Sequence, residues 1–458
     1  MYYNTTISTA AAIAVLQTNP NESLEYLLQN IGYTGIFILV FLFIILFGCF
    51  YFFNSAKPSS YSNYYLSKKQ NFYISALFLL VALYLPKCFM QTGTIHPFIQ
   101  ARNYLSEAQD FDKLHKTNYS NLVIRNNGNK SHTPSTIILV IGESYGRNFM
   151  SAYGYTNNNT TPWLKQQTEQ HSQNFIKFNH AYSSYGSTVQ SLERALTEKN
   201  QYNDKSFKNS VTLLDLAKKA GYKTYWFSNQ GVKNSADTPI QIVARTADVH
   251  HWIEDEPIAS SRILYDEDLL PCLENVNPLE NNFIVLHVMG CHELTIHRFP
   301  EDRTQFGKKG AFDLITNYED AMAYNDWVLQ QVFNYAEKNL NLDAMVIFSD
   351  HGANPYRKRT AENIPFINVR IPLIIYLSDN YQKTYVETTS ALKNNIDKYF
   401  SNDLIFEAVG GILNIESAVI NPSNNIANQS YKFTRQTIKT DLGRKNVAND
   451  IHENEIEY

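Results

Sequence analysis

Cysteine is scarce in this 458-residue sequence, and the four present, Cys49, Cys88, Cys272 and Cys291, show no CxxC spacing. That argues against a zinc ribbon and against a dense disulfide framework. Cys49 and Cys88 lie in apolar runs, where a thiol packs as a small hydrophobe. Whether Cys272 and Cys291 pair stays open, because sequence does not set their distance. A basic surplus is missing as well. Thirty-nine Lys and Arg stand against 43 Asp and Glu, a formal net charge of -4, with both signs mixed along the chain. With no basic stripe to track a phosphate backbone, nucleic acid is not expected as a partner. Residues 1–31 contain no Lys or Arg, so the basic start of a cleavable signal peptide is absent.

Charge is also missing from 32–53, an apolar run long enough to cross a hydrocarbon core of roughly 30 Å as a helix. A second run, 72–90, is flanked by aromatic residues of the kind that sit at membrane interfaces. Two transmembrane helices within a 1–95 membrane anchor are therefore expected. The loop between them carries Lys57, Lys68 and Lys69, which places it on the cytoplasmic side and everything after the second run on the outer side. Residues 96–133 read as a connector with a helical patch, and 421–458, rich in Asn and charge, as a polar tail forming a loose wrap or solvated end.

Between them, from 134 to 420, short apolar runs alternate with helical stretches. STIILVIG, YKTYWFS, NFIVLHVMG, DAMVIFS and IPLIIYL have the continuous hydrophobicity of strands buried on both faces, which predicts an open α/β sheet. Ligands in such sheets sit outside the carboxyl ends of the strands. Those ends are polar here: Glu143 and Ser144 after the first run, Asn229 and Gln230 after the second, Cys291 and His292 after the third, Asp350 and His351 after the fourth. Any one of these has an ordinary explanation as a cap or surface turn. Their recurrence on successive strands points to a site, and two carboxylates with a histidine suit a borderline divalent cation such as Zn²⁺.

The hydroxyl-rich stretch FNHAYSSYGSTVQSLERALT, 178–197, then runs into a helical pattern. Thr188 falls at or just before the helix start, where unpaired N–H groups and the dipole favour a phosphoryl group. On local composition alone a simple Ser/Thr N-cap explains it equally well.

Taken together, GESYGRNFMSAYGYTNNNTTPWL (142–164), SSYGSTVQSL (183–192), YWFSNQGVKNSADTPIQIVARTAD (225–248), LHVMGCH (286–292), YEDAMAYND (318–326) and FSDHG (348–352) resemble, in order, the phosphoethanolamine transferases of Gram-negative bacteria. That family belongs to the sulfatase and alkaline-phosphatase superfamily. TNPNESLEYL, 18–27, resembles a segment of the family's membrane portion. The resemblance implies an alkaline-phosphatase-like open sheet with helices on both faces, behind an α-helical anchor in the inner membrane, with the catalytic domain in the periplasm. It implies one zinc ion held by Glu143, Asp350, His351 and the oxygen of Thr188, the last being the nucleophile that becomes phosphoethanolamine-modified. His292 would help bind the phosphoryl group or protonate the leaving group, and Asn229, Lys233 and Ser187 would line the substrate. Ser187 is also the reserve nucleophile and Ser144 the third choice. The donor implied is phosphatidylethanolamine. The acceptor would be a lipopolysaccharide core sugar or other glycan in preference to lipid A.

The chain also departs from the family pattern. Five spans are common there and two are read here, so the chain is expected to be short at its N-terminus or to lack the first spans. A further His common after the Asp-His pair is missing from NPYRKRTAENIPFINVRIP, 354–372. A second metal is therefore not expected, and the cations of YRKR would take part of the anion binding. Competing readings are a phosphoglycerol transferase, a sulfatase or phosphodiesterase on the same fold, and an inactive membrane-anchored binding protein. A C/S-x-P-x-R nucleophile sequence typical of sulfatases does not occur in the loop.

Overall fold

The computed structural model describes Ala12, residues 32–55, single positions between 73 and 84, and residues 96–125, 134–231, 238–253, 262–307, 313–356 and 364–456. The chain forms two compact units, Met1–Asn103 and Tyr104–Tyr458.

In the first unit, helix α1, Gly32–Ser55, is continuous over 24 residues and carries no charge. Several of its side chains lie outside the described set. Over the described residues no helix is long and apolar enough to cross a membrane. Yet 24 residues at about 1.5 Å each rise about 36 Å, and Phe37, Phe43 and Leu46 stand exposed. Most of 72–90 lies outside the described residues. The connector contains helix α2, His96–Asn121.

The second unit is built on a seven-stranded sheet in the order β2-β8-β7-β1-β6-β4-β5. The strands are β1 Thr136–Gly142, β2 Phe175–Lys177, β4 Lys223–Ser228, β5 Val249–Trp252, β6 Asn282–His287, β7 Leu342–Ser349 and β8 Leu373–Leu377, while β3, His180–Tyr182, pairs outside it with β9, Tyr399–Ser401. β1, β4, β5, β6 and β7 are parallel, whereas β8 runs antiparallel to β7, and β2 antiparallel to β8. All residues of β1, β6, β7 and β8 are buried, so both faces are covered. On one face, alternate residues Ile138 and Val140, Ile284 and Leu286, Met345 and Ile347 join the core cluster that includes Ala321, Val328, Leu329, Val332 and Ala336. Those five belong to helix α6, Leu314–Asn339, at the helical spacing that makes one apolar stripe. Helices α3 (Pro162–Gln170), α4 (Thr188–Ala195), α5 (Leu213–Lys219) and α7 (Ile405–Ile412) complete the elements used below.

The C-terminal segment differs from the loose wrap expected of its composition. Ile426, Tyr431, Phe433, Ile438 and Val447 are buried, and its polar residues find tertiary partners. Asn395 donates to the Ile426 carbonyl at 2.8 Å, and Arg370 donates to Asp450. Burial of the few large apolar side chains outweighs an Asn-rich average.

Candidate functional site

Register brings the carboxyl ends of the strands level. Gly142 pairs with Ser349, Ile141 with His287, and Ser228 with His287. The residues that follow β1 and β7 therefore meet at one edge.

After β1 the chain turns sharply. Ser144 has φ 61°, a left-handed conformation unusual for a non-glycine residue, and such backbone persists where surroundings fix it. Here they do. The Ser144 N–H donates to Asp350 Oδ1 at 2.9 Å, its carbonyl accepts from Tyr318 OH at 2.7 Å, and Tyr318 OH accepts from Gly146 N–H at 2.9 Å. On the other side Gly290, at φ 55°, lies so close that a Cβ would meet the Glu143 carbonyl at 2.6 Å. Asp266 holds that glycine's loop by accepting from the N–H groups of Met289 and Gly290 at 2.7 and 2.9 Å.

Glu143, Asp350 and His351 are buried and bring one ligand atom each within 4.8 Å of one another. The His351 N–H donates to Asp350 Oδ1 at 2.6 Å, and His351 Nδ1 lies 2.9 Å from the Gly352 carbonyl. A carbonyl only accepts, so Nδ1 carries the proton, and in the neutral ring Nε2 presents its lone pair. That nitrogen faces Asp350 Oδ2 at 3.2 Å and Glu143 Oε1 at 3.4 Å. Asp350 Oδ2 is buried and, among the described residues, has no hydrogen-bond partner. Two carboxylate oxygens and an imidazole lone pair converging on one point, one oxygen lacking a donor, is a donor set that fits a borderline cation such as zinc. Burial works to raise the Asp350 carboxyl; in the metal-free cluster a proton taken up on His351 Nε2, with Glu143 and the Ser144 N–H, holds it below the usual carboxylate range, and a cation takes the place of that proton.

Thr188 is the first residue of α4, with Ser187 as its N-cap. Its hydroxyl donates to Glu143 Oε2 at 3.1 Å, which joins the hydroxyl to the carboxylate cluster. Ser187 is turned elsewhere, its hydroxyl donating to Gln190 Oε1, and Ser144 Oγ donates to Glu143 Oε1 at 2.7 Å. Thr188 thus stands at the helix N-terminus and against the cluster at once. Asn229 follows β4 but is buried, its amide donating to Asp266 Oδ1 at 2.9 Å. His292 lies on the turn after β6, its N–H donating to the Met289 carbonyl at 3.1 Å. Lys233 and residues 357–359 of the YRKR segment lie outside the described residues. Cys272 and Cys291 are both buried and do not pair with each other.

Several site residues carried no assignment from sequence. Tyr318 and Asn325 sit on α6. Tyr145 OH donates to Asn325 Oδ1 at 2.7 Å, and Asn325 in turn donates to the Gly290 carbonyl at 3.3 Å. A seven-residue separation of polar groups on an otherwise buried stripe was the available signal. Asn402, far along the chain, donates to the Asp350 carbonyl at 2.8 Å and to Ser191 Oγ at 2.8 Å, while Ser191 Oγ donates to that same carbonyl at 2.6 Å. Nothing local marks it.

His287, at the end of β6, is buried with Nε2 unpartnered among the described residues. Burial pushes its imidazole down to about 4, against the opposing pull of Asp350. A free imidazole titrates near 6.5. Between about 6.5 and 4 the unfolded chain therefore binds a proton that the folded chain does not, and stability falls as pH is lowered through that window. In urea unfolding of metal-free protein, wild type is expected to lose about 2 kcal/mol more than His287→Asn between about pH 7 and 5. Equal losses in the two proteins would show that this imidazole is not held neutral.

The chain matches the family described as Sulfatase over residues 135–414. It is similar to phosphoethanolamine transferase EptC of Escherichia coli (strain K12), 27% identical over 325 residues, covering 67% of this chain and 55% of that protein. The chain spans about half the length of the first curated relatives it matches. Among solved structures, the C-terminal periplasmic domain of EptC from Escherichia coli in complex with Zn superposes with a TM-score of 0.59 at 25% identity, over 69% of this chain and 91% of that one. The integral membrane protein lipooligosaccharide phosphoethanolamine transferase A from Neisseria meningitidis shares the fold, with a TM-score of 0.65 at 18% identity, over 93% of this chain and 82% of that one. With its sulfatase match covering more than half of its length, and with the mixed sheet that carries the acidic cluster lying inside that match, the chain belongs to the sulfatase family.

Proposed function

We propose that this chain is a metal-dependent transferase that moves phosphoethanolamine from phosphatidylethanolamine to a cell-envelope acceptor, through a covalent intermediate on Thr188. The carrying observation is the Thr188 hydroxyl, which donates to Glu143 Oε2 at 3.1 Å beside the buried Glu143, Asp350 and His351 cluster. The donor assignment draws on similarity to proteins named phosphoethanolamine transferases. A zinc ion held by Glu143, Asp350 and His351 would supply positive charge that lowers the pKa of a neighbouring hydroxyl and offsets charge on a phosphoryl group.

The protein groups divide the remaining work. Glu143 Oε2 accepts the Thr188 proton, and the threonine oxygen attacks phosphorus. The bond from phosphorus to the diacylglycerol oxygen breaks, and that oxygen leaves with the electron pair and takes up a proton. An acceptor hydroxyl or phosphate then loses its proton to the group that protonated the leaving oxygen and attacks the same phosphorus, the bond from phosphorus to the Thr188 oxygen breaks, and that oxygen takes back the proton held on Glu143. Splitting one transfer into two displacements lowers each barrier, and the N–H groups at the start of α4 suit the phosphoryl oxygens. His292 would protonate the leaving oxygen or bind the phosphoryl group, and Lys233 and Ser187 would lie along the substrate path, while Asn229, buried against Asp266, would act from behind it.

A lipid donor accords with an N-terminal anchor. We assign α1 to the bilayer, with 72–90 as a second span, the intervening loop in the cytoplasm and the catalytic unit in the periplasm. The acceptor would be a lipopolysaccharide core sugar, lipid A or another envelope glycan.

Incubating the zinc-loaded full chain with phosphatidylethanolamine in detergent, then mapping peptides by mass, is expected to give a phosphoethanolamine adduct on the Thr188 peptide. A phosphoglycerol adduct after incubation with phosphatidylglycerol, and none with phosphatidylethanolamine, would replace the donor. No adduct with either would overturn the transferase reading.

A further inference from the structure

Arg370 is fully buried, with 0% exposure. Its guanidinium is held by the C-terminal segment: Nε donates to Asp450 Oδ2 at 2.9 Å, Nη2 to Asp450 Oδ1 at 2.5 Å, and Nη1 to the Glu455 carbonyl at 2.9 Å. A two-pronged pair of this kind fixes orientation as well as charge. Tyr182 OH donates to the same Asp450 carboxylate at 3.0 Å.

The backbone around Arg370 lies against both loops that carry the acidic cluster. Its carbonyl accepts from the Arg147 N–H at 3.2 Å, in the loop that begins with Glu143. A Cβ on Gly352, beside His351, would meet that carbonyl at 2.7 Å, and Gly352 N–H donates to the Asn368 carbonyl at 2.9 Å. Segment 367–370 is thus a shared wall for the two loops.

A second ion pair reinforces it. Arg147 Nη2 donates to Glu453 Oε1 at 3.2 Å and Nη1 to the Ala181 carbonyl at 3.2 Å. Glu453 also takes His180 Nδ1 at 2.6 Å and Tyr399 OH at 2.9 Å. Two anions three residues apart, Asp450 and Glu453, therefore neutralise two buried guanidinium groups, each on a segment that touches the site.

We propose that Asp450 and Glu453 are positioning residues for the metal centre, acting through Arg370 and Arg147 to hold the 143–147 and 350–352 loops at the separation that lets Glu143, Asp350 and His351 share one cation. The inference rests on the reading of those three side chains as a metal site. Partners outside the ligand set commonly change metal affinity by about 10–100-fold. Without Asp450 the buried Arg370 guanidinium keeps the Glu455 carbonyl but loses the two-pronged anion that fixes its orientation, which loosens the backbone beside it.

The test is zinc affinity of the full chain in detergent, by competition with a chromogenic chelator, alongside thermal unfolding of the metal-free protein. Asp450→Asn is expected to weaken zinc binding about tenfold or more, and Glu453→Gln less. Asp441→Asn, which breaks a 2.6 Å pair with Arg444 within the tail itself, is expected to leave zinc affinity unchanged. Unchanged affinity in Asp450→Asn with a lowered melting temperature would reduce the tail to a structural support and overturn the proposal. Should Asp450→Asn fail to fold, Glu453→Gln decides: a measurable loss of affinity supports the proposal, and wild-type affinity overturns it. Failure of the wild type itself to bind zinc would instead remove the metal reading.

Discussion

Thr188→Ala is expected to abolish transfer, with a fall in turnover of at least about 10³-fold, while zinc affinity stays within a few-fold of wild type. The separation follows from geometry. Thr188 contributes one hydroxyl, donated to Glu143 Oε2 at 3.1 Å, and the other three candidate ligands are fixed independently by Ser144 N–H, Gly352 O and the strand ends. Truncating it removes the attacking oxygen without disturbing those supports. Ser187→Ala is the informative companion, because the Ser187 hydroxyl is committed to Gln190. It is expected to cost less than about tenfold, by loosening the start of α4. Adduct formation and turnover with each variant check both values. Full activity in Thr188→Ala with loss in Ser187→Ala would reverse the assignment of nucleophile.

How much of this was legible in the sequence depends on how local the cause is. β1 and β7 could be read as strands because each is a continuous apolar run, and the acidic residues at their ends could be read as a site because parallel strands bring their carboxyl ends to one edge. The direction of β8 could not be read. A strand buried on both faces has the same apolar run whichever way it points, and LIIYL proved antiparallel to its neighbour. The supports of the site were also hidden. Tyr318 and Asn325 share a face of α6 but look like ordinary polar residues in a helix. Asn402, Arg370 and Asp450 reach the site through contacts 52 and 80 residues apart in sequence, for which composition and periodicity have no signature. The tail misled for the same reason. Its average is polar, while its fold is decided by a few buried aromatic and aliphatic residues and by carboxylates whose partners lie elsewhere.

The second large effect concerns Asp350, and its sign differs between the metal-bound and metal-free protein. Asp350 Oδ1 accepts from the N–H groups of Ser144 and His351 at 2.9 and 2.6 Å, whereas Oδ2 is buried and, among the described residues, lacks a hydrogen-bond donor. Asparagine keeps an acceptor oxygen for the first pair and replaces the second oxygen with a neutral amide that is a poor zinc ligand. Loss of a direct ligand costs more than the about 10–100-fold typical of partners outside the ligand set, so Asp350→Asn is expected to weaken zinc binding by roughly 10²–10³-fold. Without metal the change removes one of two neighbouring buried carboxylates and gives Glu143 a donor in its place, so the metal-free variant should melt no lower than wild type. Wild type should gain several degrees on adding zinc through preferential binding to the folded state, and the variant almost nothing at the same concentration. A metal-free variant that unfolds well below wild type would mean that Oδ2 is satisfied within the protein, and that the vacant lone pairs of this cluster do not await a cation.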